Sequence, residues 1–304
     1  MRIILFILLF ISLQSKGQII RANPNYRPFA TAASCSYLLD QYSGAAAAYS
    51  LRKLDCDYAG SAIRVRRSSD NTEQDIGFTA NGDLDTASLK TFVGANSAYI
   101  TTWYDQAGSL NVTISTANYQ PRIINAGTIH RINSLPSIFF DGSDDQLMNC
   151  SFTINTSVLY SFCVSNNPSN SGYGRIISIS TSSVTADNNN LYSMAFLYTR
   201  LTDMGMYRNG FLTIKAITNN STILAYNYID GTSSGLQINN GTLGTTATSA
   251  TALNSTCVSI GASVTRASGE FLTGYIQEIV LYRTDVSGNS SGIKSNINTY
   301  YQIY

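Results

Sequence analysis

Short segments of alternating apolar and polar residues run through most of the chain, separated by clusters of Gly, Ser, Asn and Asp. In "AIRVRRSSDN", Ile63 and Val65 fall on one side and Arg64 and Arg66 on the other before the turn residues begin. A period of two is that of a strand with one buried face. "SAYITTWYDQ", "LPSIFFDGSDDQL", "SVLYSFCVS", "GRIISIS", "NLYSMAFLY" and "GYIQEIVLY" read as further strands with the same punctuation. Helical spacing is scarce. "DLDTASLKTFVG" sets Leu89 and Phe92 on one side, with Asp85 to cap the first turn and Gly94 to end it, and "SSGIKSNINTYYQIY" offers a second short helix. Strands following one another without alternating helices predict an all-β fold, a two-sheet jelly-roll sandwich with one or two short helices. "SSVTADNNNLY" and "GTLGTTATSATALNST" are polar and weakly patterned, and are expected to be long surface loops on a binding face.

The first residues break this pattern. Arg2, an apolar run from Ile3 to Leu13, and small residues at Ser15 and Gly17 have the order of a secretory signal. Residues 1–17 are therefore read as a leader and 18–304 as one sandwich domain, exported to the medium or the cell surface. No other apolar stretch approaches the roughly 20 residues that a membrane helix needs. The 12% of charged residues and the net charge of +1 argue against a nucleic-acid partner. Among the five cysteines, Cys35 with Cys56 and Cys150 with Cys163 close the shortest loops, the alternative being isolated buried thiols.

"WYDQAG", "QPRIINAG", "LPSIFFDGSDDQL" and "FLTGYIQEIVLY" resemble, in that order, the landmarks of concanavalin A-like and laminin-G-like jelly rolls of bacterial and phage surface proteins. The segments "YSGAAAAYSLRKL", "IRVRRSSDN" and "ITTWYDQAG" are similar to the opening of the arabinofuranosidase B catalytic domain, a β-sandwich that removes terminal arabinofuranose with retention of configuration. The shared "YDQ" falls on Tyr104, Asp105 and Gln106. From the residues themselves, Asp105 is suited to bonding the backbone of the turn through Gly108. Trp103 and Tyr104 face opposite sides of their strand, so one of them can reach a sugar.

Retaining hydrolysis needs two carboxyl groups about 5–5.5 Å apart. The resemblance places its nucleophilic glutamate within "GRIISISTSSVTADNNNLYSMAF", which contains none, and its acid catalyst in "VSIGASVTR", where Ser263 stands. A serine hydroxyl is too weak an acid for that work. Asp105, Asp187 and Glu270 are the acids left to nominate for a divergent catalyst, while Glu278, inside a strand, suits a structural hydrogen-bonding role. His130 is the sole histidine and no G-x-S-x-G occurs, which removes a serine triad and leaves zinc short of ligands. Asp141, Asp144 and Asp145 form either a tight turn or the oxygen-rich loop of a structural calcium site; no other cofactor is expected.

The reading that follows is a secreted carbohydrate-binding or adhesion-type sandwich without catalysis. Its partner would be a glycan or cell-surface polysaccharide, contacted by Trp103, Tyr104, Asp105, Gln106, Asp187, Asn188, Asn189 and Asn190. The alternative is a divergent α-L-arabinofuranosidase-like hydrolase whose carboxylates have moved.

Overall fold

The ten-residue strand Thr273–Tyr282 lies at the centre of the molecule. The computed structural model describes residues 35–167, 172–181, 193–208, 210–266 and 270–304; the expected leader lies outside the described residues. Along one edge of the central strand runs Val158–Asn166, followed outward by Thr222–Asp230, Ser233–Ile238 and Gly244–Ala247. Its other edge is shared by two strands end to end, Ile138–Asp141 and Ala47–Ser50. Beyond Ile138–Asp141 come Arg122–Asn125, Ala98–Trp103, Ile63–Arg67 and Glu73–Ile76. A second layer runs from Val112–Thr113 through Leu147–Asn149, Cys257–Ile260, Gly174–Ser180, Ser193–Thr199 and Asp203–Tyr207 to Phe211–Ala216. The layers join where Trp103 pairs with Val112, and every pairing is antiparallel.

Between the layers lies one apolar core, to which Ile100, Ile123, Phe140 and Ile276 contribute from the first and Ile177, Phe196, Val258 and Ile260 from the second. The expected β-sandwich is therefore present, built by the strand alternation seen in Ile63 and Val65. The middle of the first layer is buried on its other side as well. There Tyr160, Phe162, Val164, Val280 and Tyr282 pack against Leu38 and Leu39 and against Ile293, Ile297 and Tyr301 of the C-terminal helix Ser290–Tyr301. The other predicted helix forms as Thr86–Val93: Asp85 accepts the amide of Ser88 at 2.9 Å and Gly94 ends it at φ +61°.

Glu278 shows what a buried charge in such a layer requires. Its carboxylate is fully enclosed and accepts from Arg52 Nε and Nη2 at 2.8 and 3.0 Å, from Ser50 Oγ at 2.8 Å and from Tyr301 Oη at 3.1 Å. Arg52 is itself covered by the rings of Tyr300 and Tyr301. The structural role expected of Glu278 is thus met, and it fastens the helix to the sheet.

Two expectations are corrected. Cys150 bonds to Cys257, not Cys163, because Cys163 lies within Val158–Asn166 of the first layer while Leu147–Asn149, which leads into Cys150, pairs with Cys257–Ile260 in the second. Cys163 is a buried free thiol, whose burial raises its pKa, and Cys35 and Cys56 are disulfide-bonded. The Cys150–Cys257 bridge spans 107 residues of sequence. Replacing Cys150 and Cys257 with serine is expected to cost about 2–4 kcal/mol in urea unfolding; an unchanged midpoint would contradict the bridge. The segment read as the loop "GTLGTTATSATALNST" contains the edge strand Gly244–Ala247, which pairs with Ser233–Leu236, Thr245 beside Gly235 and Thr246 beside Ser234, despite lacking an apolar face.

Candidate functional site

The Trp-Tyr-Asp-Gln corner belongs to the interior. Asp105 is 1% exposed; its Oδ1 accepts the amides of Ala48 and Ala107 at 2.8 and 2.9 Å, and its Oδ2 that of Leu110 at 3.0 Å. Gln106 accepts from the Leu54 amide and donates to the carbonyls of Ser50 and Arg52. Together they lash Ala47–Ser50 to the end of Ala98–Trp103, and the turn-bonding expected of Asp105 extends to a second strand. Trp103 is fully buried against Tyr49, with ring centroids 6.0 Å apart. No sugar reaches Trp103, Asp105 or Gln106, so their place in a ligand site and that of Asp105 in catalysis are corrected. Tyr104 faces outward and donates its hydroxyl to Asp75. Glu270 pairs with Arg175 at 2.6 Å. Asp187 and Asn188 to Asn190 lie outside the described residues.

An open pocket of about 460 Å³ lies on the outer face of the first layer. The same alternation that buries Val65, Ile100, Ile123 and Phe140 turns their neighbours Arg66, Tyr99, Arg122 and Phe139 outward, and these form its floor. Gln120 and Asn118 close one side. Asp141, Asp144 and Asp145 form the other.

The acids arise at the end of Ile138–Asp141, where Gly142 turns the chain at φ +82°. Asp141 Oδ1 accepts the amide of Ser143, and Asp145 Oδ2 reaches back to the amide of Asp141 at 2.8 Å. One oxygen from each of the three carboxyl groups lies within 4.8 Å of the others. Asp145 is 6% exposed, and burial, followed by the charge of Asp141, pushes its pKa up to about 7. Burial and Asp141 also raise Asp144, against the pull of Arg266. A carboxyl group that keeps its proton near neutrality beside other carboxylates is the arrangement from which an acid and a nucleophile can be divided.

Gln146 holds this loop in place by donating Nε2 to Ser259 Oγ and to the carbonyl of Ser263, at 2.9 and 2.8 Å. Gly261, at φ +89°, lets the two segments meet; a Cβ there would lie 2.3 Å from the Phe140 ring and 3.1 Å from the Asp145 carbonyl. The acid loop is therefore bonded to the very segment in which Ser263 stands where the resemblance puts an acid catalyst. On the pocket floor, Arg122 donates Nε to His130 Nε2 at 3.1 Å, and burial with the Arg122 charge lowers the His130 pKa to about 4. The imidazole is thus neutral.

Asp141, Asp144 and Asp145 are also the residues that could hold a hard cation. Calcium takes about six to eight oxygens, so backbone carbonyls and water would have to supply the rest. The sequence reading found the three acids but missed that burial raises the pKa of one of them, Asp145, to about 7; the signal was an acidic run directly after the buried strand "SIFF". Arg66 and Arg122 were missed as a pocket floor because their neighbours in space are far away in sequence.

Residues 37–134 match the family model described as "Alpha-L-arabinofuranosidase B, catalytic". Among curated protein sequences none matches the chain. Among solved structures, the chain is similar to an arabinofuranosidase complexed with arabinofuranosyl-α-1,2-xylobiose, with a TM-score of 0.67 and 17% identity over 86% of this chain and 64% of that one. It is likewise similar to a mutant arabinofuranosidase soaked with 4-nitrophenyl α-L-arabinofuranoside (TM-score 0.67, 16% identity) and to one soaked with a cyclic sulfate inhibitor (TM-score 0.63, 16% identity), with the same coverage. The chain thus spans about two thirds of the length of these proteins. The reading as a non-catalytic carbohydrate-binding or adhesion protein is corrected by these matches, which favour the hydrolase alternative.

Proposed function

We propose that the chain is an arabinofuranosidase-like glycoside hydrolase acting on arabinose-containing polysaccharide, exported by its leader and working at or beyond the cell surface. The observation that carries this reading is the position of the pocket: seven of its eleven lining residues fall within residues 37–134, and the carboxylates follow directly after. Asp145 is the general acid, protonating the glycosidic oxygen as the bond to the sugar breaks. Asp141 is the nucleophile, attacking the anomeric carbon to form a glycosyl-enzyme. Asp145, now deprotonated, takes a proton from the water that releases arabinose, which restores both groups. Carboxyl oxygens that lie within 4.8 Å of one another are too close for an inverting course, which needs about 6.5–9.5 Å between the groups, and this favours the retaining one.

Purified protein is expected to hydrolyse an aryl α-L-arabinofuranoside, and proton NMR at early times should show α-arabinofuranose as the first product. Release no faster than in a heat-killed control would overturn the reading. A β first product would remove Asp141 as nucleophile.

A further inference from the structure

The pocket floor continues as a row across the first layer. Strand register sets Arg66 beside Tyr99, Tyr99 beside Arg122, Arg122 beside Phe139, and Phe139 beside Tyr275. All five side chains are half-buried, on the face away from the sandwich core. The Arg66 guanidinium lies 5.0 Å from the Tyr99 ring centre and that of Arg122 5.4 Å from Phe139, while Phe139 and Tyr275 are 5.0 Å apart. With neighbouring strands about 4.8 Å apart, the backbones that carry Arg66 and Arg122 stand roughly 10 Å from each other along the row.

What distinguishes these arginines is what they lack. Arg64, two residues before Arg66, pairs with Glu73 at 2.6 Å and Asp75 at 3.1 Å. Arg66 instead spends its donors on neutral oxygens, Gln120 Oε1, Asn71 Oδ1 and the Ala117 carbonyl. Arg122 uses Nε on the neutral His130, and among the described residues its outer nitrogens meet no carboxylate within salt-bridge distance. Two guanidiniums lie over aromatic rings with no carboxylate in salt-bridge contact, and the N–H donors that their neutral partners leave over can meet a planar anion. The rings between them offer apolar faces to the C–H surface of a sugar.

We propose that the row Arg66–Tyr99–Arg122–Phe139–Tyr275 is a subsite for an acidic glycan, whose uronate carboxylates meet the two arginines and whose rings lie on the aromatic faces. It rests on the glycoside reading of the adjoining pocket, and narrows the substrate to polysaccharide that carries uronic acid near its arabinose. A neutral arabinan would leave both arginines without an anionic partner.

Titration calorimetry on the full chain decides it, with digalacturonate as probe and neutral β-1,4-galactobiose as control. Digalacturonate is expected to bind at least about tenfold more tightly, an advantage that shrinks as salt is raised. Arg66→Gln and Arg122→Gln should each lose most of that preference, whereas Arg131→Gln, on the separate hairpin where Arg131 bonds the Ser134 carbonyl, should keep it. Equal binding of the two disaccharides, or no binding of digalacturonate, overturns the proposal, and both comparisons use the unaltered protein. Preference that survives in folded Arg66 and Arg122 variants overturns it too, as does galactose 6-sulfate competing better than galacturonate. Arg-dependent uronate binding without arabinofuranoside turnover would remove the hydrolase and leave the subsite; turnover without uronate preference would do the reverse.

Discussion

Replacing Asp145 with asparagine is expected to slow arabinose release from an arabinofuranosyl oligosaccharide by about 10²–10⁴-fold, the usual contribution of a positioned general acid. Release from a 4-nitrophenyl arabinofuranoside should suffer far less, because nitrophenolate departs without being protonated. An equal loss on both substrates would mark Asp145 as something other than the acid. Asparagine can keep the bond to the Asp141 amide, since that amide donates to a side-chain oxygen.

The same variant is expected to be more stable than the wild type at neutral and higher pH. Asp145 titrates at about 7 in the fold against an ordinary 3.8, so the folded state holds a proton that the unfolded chain has released. That linkage supports the fold fully below pH of about 4 and is lost as pH rises through about 7, above which a buried charge remains. At about 1.4 kcal/mol for each pH unit of displacement, the burden reaches at most roughly 4 kcal/mol at pH 8. Asp145→Asn should remove it, so the variant would match the wild type near pH 4 and exceed it at pH 8 in urea unfolding. Wild-type stability that does not fall between those pH values would contradict the placement of the proton.

Arg52→Met should produce the largest loss of stability. It leaves the Glu278 carboxylate enclosed with only the hydroxyls of Ser50 and Tyr301, and breaking a buried pair from one side costs about 3–5 kcal/mol. Against a total of roughly 5–15 kcal/mol, that is a large share. Pairing the change with Glu278→Gln should recover much of it, since the amide can still accept from both hydroxyls without bringing a charge. If Arg52→Met alone unfolds at the wild-type urea concentration, the ion pair does not fasten the helix to the sheet.

What the sequence makes legible depends on how far each property is local. Ile63, Val65, Arg64 and Arg66 alternate because one side of their strand is covered, and the strand reads directly. Val158–Asn166 is buried along nearly its whole length, because the sandwich core covers one face and the C-terminal helix the other. Its strand character is therefore visible in residue type and not in period. The helix Thr86–Val93 reads through its Asp85 cap. Asp105 and Gln106 drew attention for the right position and the wrong work: their oxygens and amide are consumed by Ala48, Leu54 and other backbone groups brought in by tertiary pairing. The acids of "DGSDD" were plain, but a turn, a cation loop and a proton carrier share that spelling. Only the burial of Asp145 separates them, and burial comes from segments more than a hundred residues away, such as Gly261 and Ser263. The pairing that sets Arg66 beside Tyr99 and Arg122 beside Phe139 is likewise a matter of register, which no single strand contains.

The most direct measurement is the pH–rate profile of arabinose release from an arabinofuranosyl xylo-oligosaccharide, by wild-type protein and Asp145→Asn side by side. A wild-type rate that falls as pH rises past about 7, with little release by the variant at any pH, is the expected result. No release by the wild type, or a variant that matches it across the profile, would contradict hydrolysis through this pocket.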